Sequence, residues 1–126
     1  MGIEMSRERH NWLHITEYRI LNDWCILVNK MFSQDAAFGC YLVGGALRDK
    51  DYTDVDIRLI MDDETYALRY DDCKRKYLNL AVSLWGQKVT GLPIDFQIQP
   101  QTLANERNPG APRHAIGHEL FDKADV

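Results

Sequence analysis

Three acidic residues have the types and spacing that metal-assisted phosphate chemistry needs. Asp54 and Asp56 are two positions apart in a stretch that alternates polar and apolar residues, and Asp95 lies in a second stretch of this kind. Alternate side chains of a β-strand point to opposite faces of a sheet, so Asp54 and Asp56 are expected to share one face. Hard cations such as Mg²⁺ bind carboxylates together with water and substrate phosphates. The three acids therefore predict a divalent-metal site suited to in-line phosphoryl transfer.

Two further features extend this predicted site. Gly44-Gly45 ends an apolar run at 41–43, and glycine lets backbone N–H groups approach phosphate oxygens closely. Arg58 falls on the same predicted strand face as Asp54 and Asp56. It is expected either to neutralise these acids or to contact a phosphate, and the sequence leaves both roles open.

The elements that position these residues are predicted from apolar periodicity. Spacings of three and four predict a helix that starts near Thr16, its expected cap, and carries the stripe Ile15, Tyr18, Leu21, Trp24, Cys25, Val28, Met31 and Phe32. A second helix is predicted over 65–85, ended by Gly86 and by residues 91–93, after a helix start at 62–64. Its expected buried stripe is Tyr66, Tyr70, Cys73, Tyr77, Leu80, Ala81 and Leu84.

Three strands are predicted, at 41–43, 54–61 and 94–99. Their expected core residues are Val55, Ile57, Leu59 and Met61 in the second strand, and Ile94, Phe96 and Ile98 in the third. The fold class predicted is α+β, with a short mixed β-sheet flanked by helices. Residues 1–14 are expected to be a lead, 15–100 the domain, and 101–126 a loop-rich tail with one short helix.

Composition narrows the class of protein. A length of 126 residues predicts a single domain, and a formal net charge of −4 argues against a general nucleic-acid-binding surface. The basic run Lys74-Arg75-Lys76 is expected to be a solvated helix face. Three cysteines without a C-x-x-C pair predict reduced thiols in a cytoplasmic protein. No apolar stretch is long enough to predict a membrane span.

The segment from Tyr41 to Asp49, Tyr-Leu-Val-Gly-Gly-Ala-Leu-Arg-Asp, is followed by Asp-Val-Asp-Ile at 54–57. This pattern resembles the DNA polymerase β-like nucleotidyltransferase superfamily. Within that superfamily it is most similar to the head domain of CCA-adding enzymes and bacterial-type poly(A) polymerases. The resemblance covers residues 38–62 closely and residues 92–99 more loosely.

The resemblance implies a nucleotidyltransferase-like fold and a metal-dependent activity. A nucleoside monophosphate would move from a nucleoside triphosphate to a hydroxyl acceptor (on a protein, a small molecule or an RNA end), with release of pyrophosphate. Mg²⁺ or Mn²⁺ would be the cofactor. The implied metal ligands and catalytic residues are Asp54, Asp56 and Asp95, the last also helping to deprotonate the acceptor. The implied nucleotide-binding residues are Gly44, Gly45, Arg48, Asp49 and Arg58.

The chain also departs from that family. Only four residues separate Asp49 from Asp54, fewer than CCA-adding enzymes usually have. The 126 residues are also expected to hold no counterpart of the neck, body and tail domains that bind tRNA in those enzymes. Compact members of the superfamily are therefore the nearer functional analogues, such as minimal nucleotidyltransferases of toxin–antitoxin pairs and antibiotic-modifying enzymes, which typically carry Gly-Ser in place of Gly44-Gly45. The alternative is a catalytically silent nucleotide-binding or partner-binding module, antitoxin-like, on the same fold. Whether the chain has a protein partner or forms a homo-oligomer is left open.

Overall fold

A four-stranded mixed sheet forms the centre of the structure, a computed structural model that describes residues 11–35, 38–107 and 113–119. The strands are β1 (Gly39–Val43), β2 (Val55–Met61), β3 (Ile94–Pro100) and β4 (His114–Ile116). They lie in the order β3-β2-β1-β4, with β2 and β3 parallel and β1 antiparallel to both β2 and β4. The predicted α+β class with a short mixed sheet is confirmed at this level.

Five helices connect and cover the strands in the described part of the chain. They are α1 (Ile15–Met31), α2 (Gly45–Arg48), α3 (Asp63–Arg69), α4 (Asp72–Thr90) and α5 (Gln101–Arg107). Helix α3 begins where the acidic run predicts, because the Asp62 carboxylate accepts a hydrogen bond from the Thr65 N–H at 2.8 Å. None of these helices is long and apolar enough to cross a membrane.

The core lies between α1, α4 and one face of the sheet. The strand periodicity identified that face correctly, since Val55, Ile57, Leu59, Met61, Ile94, Phe96 and Ile98 are all buried. Trp24 of α1 is 1% exposed and packs edge-on against Trp85 of α4 and Phe96 of β3, with ring centroids 5.6 and 6.4 Å apart. The opposite face of the sheet carries the polar side chains of β2 and β3.

The predicted cap of α1 is wrong. The helix begins after His14, whose backbone N–H donates to the Glu17 carboxylate at 3.0 Å, so the side chain that satisfies the helix start is Glu17 and not Thr16. Most of the apolar stripe is buried, including Phe32 at the end of the helix, but Ile15 and Met31 are 66% and 63% exposed.

The predicted single helix over 65–85 is also wrong. Helix α3 ends before Tyr70, which is its C-cap. A new helix starts at Asp72, because the Asp71 carboxylate accepts a hydrogen bond from the Lys74 N–H. The predicted stripe is right only at its start, where Tyr70 is buried in the core and Tyr66 packs against it. Its α4 members do not face the core: Cys73, Tyr77, Leu80, Ala81 and Leu84 are exposed, and the buried residues of α4 are Val82, Ser83 and Gly86.

The sequence predicts that Gly86 ends this helix, but Gly86 lies inside α4. Its lack of a side chain admits the Trp24 indole, because a Cβ would lie 2.7 Å from Cζ2. The helix ends instead at Gly91, which was also predicted and which adopts a left-handed conformation with φ +73°.

The region after Pro100 contributes more structure than the one short helix predicted. Strand β4 pairs with β1 and forms the second edge of the sheet. Helix α1 holds this strand through two asparagine side chains, since Asn22 Oδ1 accepts from the Gly117 N–H at 2.8 Å and Asn29 Nδ2 donates to the Gly117 carbonyl at 3.1 Å. The remainder of the predicted lead (residues 1–10) and of the tail (108–112 and 120–126) lies outside the described residues.

Two residues of the basic run at 74–76 form hydrogen bonds with nearby residues. The Arg75 guanidinium donates to the Tyr70 carbonyl and the Asp72 carboxylate, and Lys74 Nζ donates to the Arg69 carbonyl at 3.1 Å. Lys76 alone faces a groove beside β3. All three cysteines are free, with Cys25 and Cys40 buried and Cys73 exposed.

Candidate metal and nucleotide site

Asp56 and Asp95 are direct neighbours across the two parallel strands. The register pairs Val55 with Ile94 and Asp56 with Asp95, so the two carboxylates leave the sheet side by side on the face opposite the core. Their side chains are 20% and 42% exposed. The sequence predicts the shared face, and the parallel register places the two acids at the same level.

The glycine turn lies against Asp56. Val43, the last residue of β1, pairs with Asp56, and the chain then turns at Gly44 with φ +74° and ψ −146°. A Cβ on Gly44 would lie 3.1 Å from Asp56 Cγ and would overlap Oδ2. The backbone N–H of the next residue, Gly45, lowers the pKa of the same carboxyl and so favours its charged form. Glycine is required here both by the backbone conformation and by the approach of the acid.

Arg58 joins the two acids from the same strand face. Its Nη2 lies 3.3 Å from Asp95 Oδ2 and 3.9 Å from Asp56 Oδ1. Its Nη1 donates to the Asp95 carbonyl at 2.8 Å and to the Ile57 carbonyl at 3.1 Å. Of the two roles that the sequence left open, the geometry matches neutralisation of the acids.

The pKa of the Asp56 carboxyl is raised above its ordinary value. Burial is the main cause, and the negative charges of Asp95 and Asp54 raise it further. The Arg58 guanidinium and the Gly45 N–H act in the opposite direction but do not cancel the rise. The charged form of Asp56 is therefore disfavoured by its surroundings, and a cation bound beside it would stabilise that form.

The other predicted site residues are more peripheral. Asp54 is exposed immediately before β2 and interacts with Asp56 through its charge. Arg48 ends α2, and Asp49 follows it; both are exposed, and Asp49 Oδ1 accepts from the Asp51 N–H at 2.9 Å. Within the described residues, neither Arg48 nor Asp49 forms a hydrogen bond or ion pair with Asp56 or Asp95.

A groove of about 520 Å³ runs between α4 and β3 and reaches the acids. Both Asp54 and Asp95 line it, together with Lys76, Leu80 and Gln97. Its volume falls within the usual range of small-molecule sites, roughly 300–1,000 Å³. Asp56 does not line the groove, so Asp95 is the member of the pair that borders it.

A polar stripe on α4 holds the edge of β3, and the sequence reading missed it. Gln87 Nε2 donates to the Ile94 carbonyl at 3.0 Å, Ser83 Oγ accepts from the Phe96 N–H at 2.8 Å, and Asn79 Oδ1 accepts from the Ile98 N–H at 3.0 Å. The three side chains recur every four residues on one helix face. That spacing was a usable signal, because a polar stripe next to an edge strand can satisfy its unpaired backbone groups.

The acid pair fits a divalent cation in its donor chemistry. Mg²⁺ commonly binds one or two protein carboxylates and completes its octahedron with water and substrate phosphates. Asp56 and Asp95 supply that number of carboxylates from adjacent strands, and burial disfavours the charged form of Asp56 unless a cation lies beside it. Across residues 11–35, 38–107 and 113–119, no three His, Cys, Asp or Glu side chains form a ready-made metal cluster. The fit is therefore to a two-carboxylate site that substrate phosphate completes.

Comparison of the chain with protein-family models, with curated proteins and with solved structures found no match in any of the three.

Proposed function

We propose that the protein is a divalent-metal-dependent nucleotidyltransferase. It moves a nucleoside monophosphate from a nucleoside triphosphate to a hydroxyl acceptor and releases pyrophosphate. The observation that carries the proposal is the in-register pair of Asp56 and Asp95, with the Gly44-Gly45 turn closed over Asp56. The motif resemblance assigns these four residues to one site, and their proximity supports the proposal.

The groove beside β3 gives the acids different roles. Of the in-register pair, Asp95 lines the groove and is more exposed than Asp56, so it faces the acceptor and takes the proton of the attacking hydroxyl. The acceptor oxygen then forms a bond to the α-phosphorus, the bond from that phosphorus to the bridging oxygen breaks, and pyrophosphate leaves. Asp56 and Asp95, with the exposed Asp54 beside them, would hold a divalent cation, which would neutralise charge on the phosphate oxygens.

The chain's own groups fix the position of the triphosphate in this proposal. The Gly44-Gly45 turn gives the phosphates a surface without side chains, and Arg48 and Asp49 follow it at the exposed end of α2. The turn also lies against Asp56, because a Cβ on Gly44 would overlap Asp56 Oδ2, so it borders a proposed metal ligand as well as lining the nucleotide.

Calorimetric titration of ATP, CTP, GTP and UTP in the presence of Mg²⁺ tests the proposal. We expect metal-dependent binding of at least one triphosphate by the native chain, and its loss in Asp54→Asn/Asp56→Asn. Asp23→Asn, an exposed acid on α1, is the matched control and should bind as the native chain does. Binding that persists without metal, or in the double variant, would contradict the proposed role of the acids.

A second candidate function is a silent nucleotide-binding or partner-binding module, and one observation favours it. Tyr77, Leu80 and Leu84 are 62%, 55% and 54% exposed and recur along one side of α4. An exposed apolar stripe of this kind is typical of a protein–protein contact. Leu80 also lines the groove, so a partner docked on the stripe would lie beside Asp95.

Two measurements separate the candidates. Pyrophosphate release with a screened set of hydroxyl acceptors is expected only for the enzyme. Light scattering measures the molar mass of the native chain and of Leu80→Glu/Leu84→Glu, and so reports whether the exposed apolar stripe of α4 binds a second copy of the chain. Metal-dependent triphosphate binding without pyrophosphate release from any acceptor, combined with a stripe-dependent complex, would favour the module.

A further inference from the structure

Arg58 places a positive charge beside both acids of the pair, Asp56 and Asp95. Its side chain is only 13% exposed, and its Nη2 is within 4 Å of one carboxylate oxygen from each acid, Asp95 Oδ2 and Asp56 Oδ1. A guanidinium is positively charged and presents its N–H donors in a planar fork. The acids are thus partly neutralised by the chain itself before any other cation arrives.

The other half of the guanidinium is fixed to the main chain. Nη1 donates to the Asp95 carbonyl of β3 and to the Ile57 carbonyl of β2, at 2.8 and 3.1 Å. The planar fork therefore connects both strands and holds the Asp95 backbone and carboxylate together. An arginine that served only to contact a phosphate would not need these inward bonds to two carbonyl groups.

We propose that Arg58 is a resident counter-ion with which a divalent cation competes for Asp95 and Asp56, so that it sets the metal concentration at which the site fills. This inference rests on the metal role of the two acids proposed above. The guanidinium occupies a lone pair of Asp95 Oδ2 that a metal would use, and its charge repels a second cation placed between the same oxygens. Without metal it offsets repulsion among Asp54, Asp56 and Asp95, so Arg58 acts as a positioning residue rather than a catalytic one.

Direct binding of Mn²⁺, followed through the electron paramagnetic resonance signal of the free ion, tests the proposal without any nucleotide. Arg58→Met and Arg58→Gln both remove the charge, and the glutamine variant keeps a donor for the backbone carbonyls. We expect both to bind Mn²⁺ more tightly than the native chain, by about 10-fold or more, because one nearby positive charge has gone. Arg58→Lys keeps the charge and should remain close to native affinity.

Thermal melting supplies a second readout. Without metal, Arg58→Met should melt below the native chain, and added Mn²⁺ should raise its melting temperature by more than it raises the native value. Arg69→Met is the control, because Arg69 is also ion-paired, to Asp35 at 2.6 Å, but bonds none of the three candidate acids. That variant should keep native Mn²⁺ affinity.

The outcomes separate this inference from the function on which it rests. If the native chain binds Mn²⁺ and the neutral variants bind it equally or more weakly, the counter-ion role is wrong while the metal site stands. If neither the native chain nor the variants bind Mn²⁺, both proposals are wrong. If Arg58→Met does not fold, Arg58→Gln decides the result by the same criteria.

Discussion

The Asp56 carboxylate occupies the space that a side chain on residue 44 would fill, so Gly44 and Asp56 depend on each other. The contact arises because Val43 pairs with Asp56 in the β1–β2 ladder and the chain turns immediately afterwards. The turn has φ +74° and ψ −146°, a region that residues other than glycine rarely adopt. The glycine pair of the motif thus has a structural reason that is independent of any bound phosphate.

Replacing Gly44 with alanine is expected to destabilise the protein by about 2–4 kcal/mol, from backbone strain together with displacement of Asp56. Urea unfolding measures this loss, and Mn²⁺ titration of the folded variant should show weakened binding. Gly91→Ala is the matched control, because Gly91 has φ +73° but nothing within 4 Å of an added Cβ. It should lose only about 1–2 kcal/mol and keep native metal affinity. Equal losses in the two variants would show that the Asp56 contact contributes nothing.

The edge of β3 should depend on the polar stripe of α4. Ser83→Ala leaves the Phe96 N–H without its partner at a buried position, which costs about 1–3 kcal/mol. Hydrogen exchange should show faster exchange of the Phe96 amide, next to Asp95, than in the native chain. Lys88→Ala, at an exposed position of the same helix, should change neither quantity. Unchanged exchange at Phe96 in Ser83→Ala would refute the role of this hydroxyl.

Strand alternation identified the correct faces of the sheet from the sequence because the pattern is local. Asp56 must point away from Val55 and Ile57 wherever the strand pairs, since successive side chains alternate. The level of Asp56 relative to Asp95 depends on the parallel register, which the residues of either strand alone do not determine. The sequence therefore predicts which acids share a face but not that they are adjacent.

The prediction of which α4 residues are buried was wrong for a related reason. Apolar residues at helical spacing indicate an amphipathic helix, but the buried face is chosen by the partner. In this chain Gly86 admits Trp24 and Ser83 bonds β3, so Val82 is buried while Leu84 remains exposed. Strand β4 was missed because three residues carry little periodicity, and its position depends on distant asparagines of α1.

Tyr70 and Asp35 form a hydrogen bond that should make stability depend on pH at both extremes. Tyr70 Oη donates to Asp35 Oδ2 at 2.6 Å. Burial, and then this bond, raise the pKa of Tyr70 from 10.0 to about 12, while the same bond lowers the pKa of Asp35 from its ordinary 3.8. The Tyr70 contribution is full below pH 10 and is lost as the pH rises through about 12. The Asp35 contribution is present above pH 3.8 and is lost as the pH falls below that value.

Tyr70→Phe should therefore lower stability at neutral pH and flatten both limbs of the stability profile. Urea unfolding from pH 3 to pH 12 measures the effect. Tyr77→Phe, at an exposed position of α4, is the control and should keep the native profile. An alkaline limb between pH 10 and 12 that is identical in Tyr70→Phe and the native chain would assign it to other groups.

Gly86→Ala sets two known effects against each other, and the packing effect should dominate. Alanine is favoured over glycine inside a helix by about 1 kcal/mol, whereas overpacking a core costs about 1–3 kcal/mol. The added Cβ would lie 2.7 and 2.8 Å from Cζ2 and Cη2 of Trp24, which is confined by Trp85 and Phe96 and cannot easily move. We expect a net destabilisation by roughly 1–2 kcal/mol in urea unfolding.

The double-mutant cycle with Trp24→Phe identifies the cause of that loss. The smaller ring removes the atoms that an alanine at position 86 would meet, so Gly86→Ala should be neutral or stabilising in the Trp24→Phe background. A coupling free energy of about 1 kcal/mol or more between the two sites is expected, because the side chains compete for one volume. Additive effects of the two substitutions would mean that the α1–α4 contact tolerates a methyl group and that Gly86 is not needed to admit Trp24.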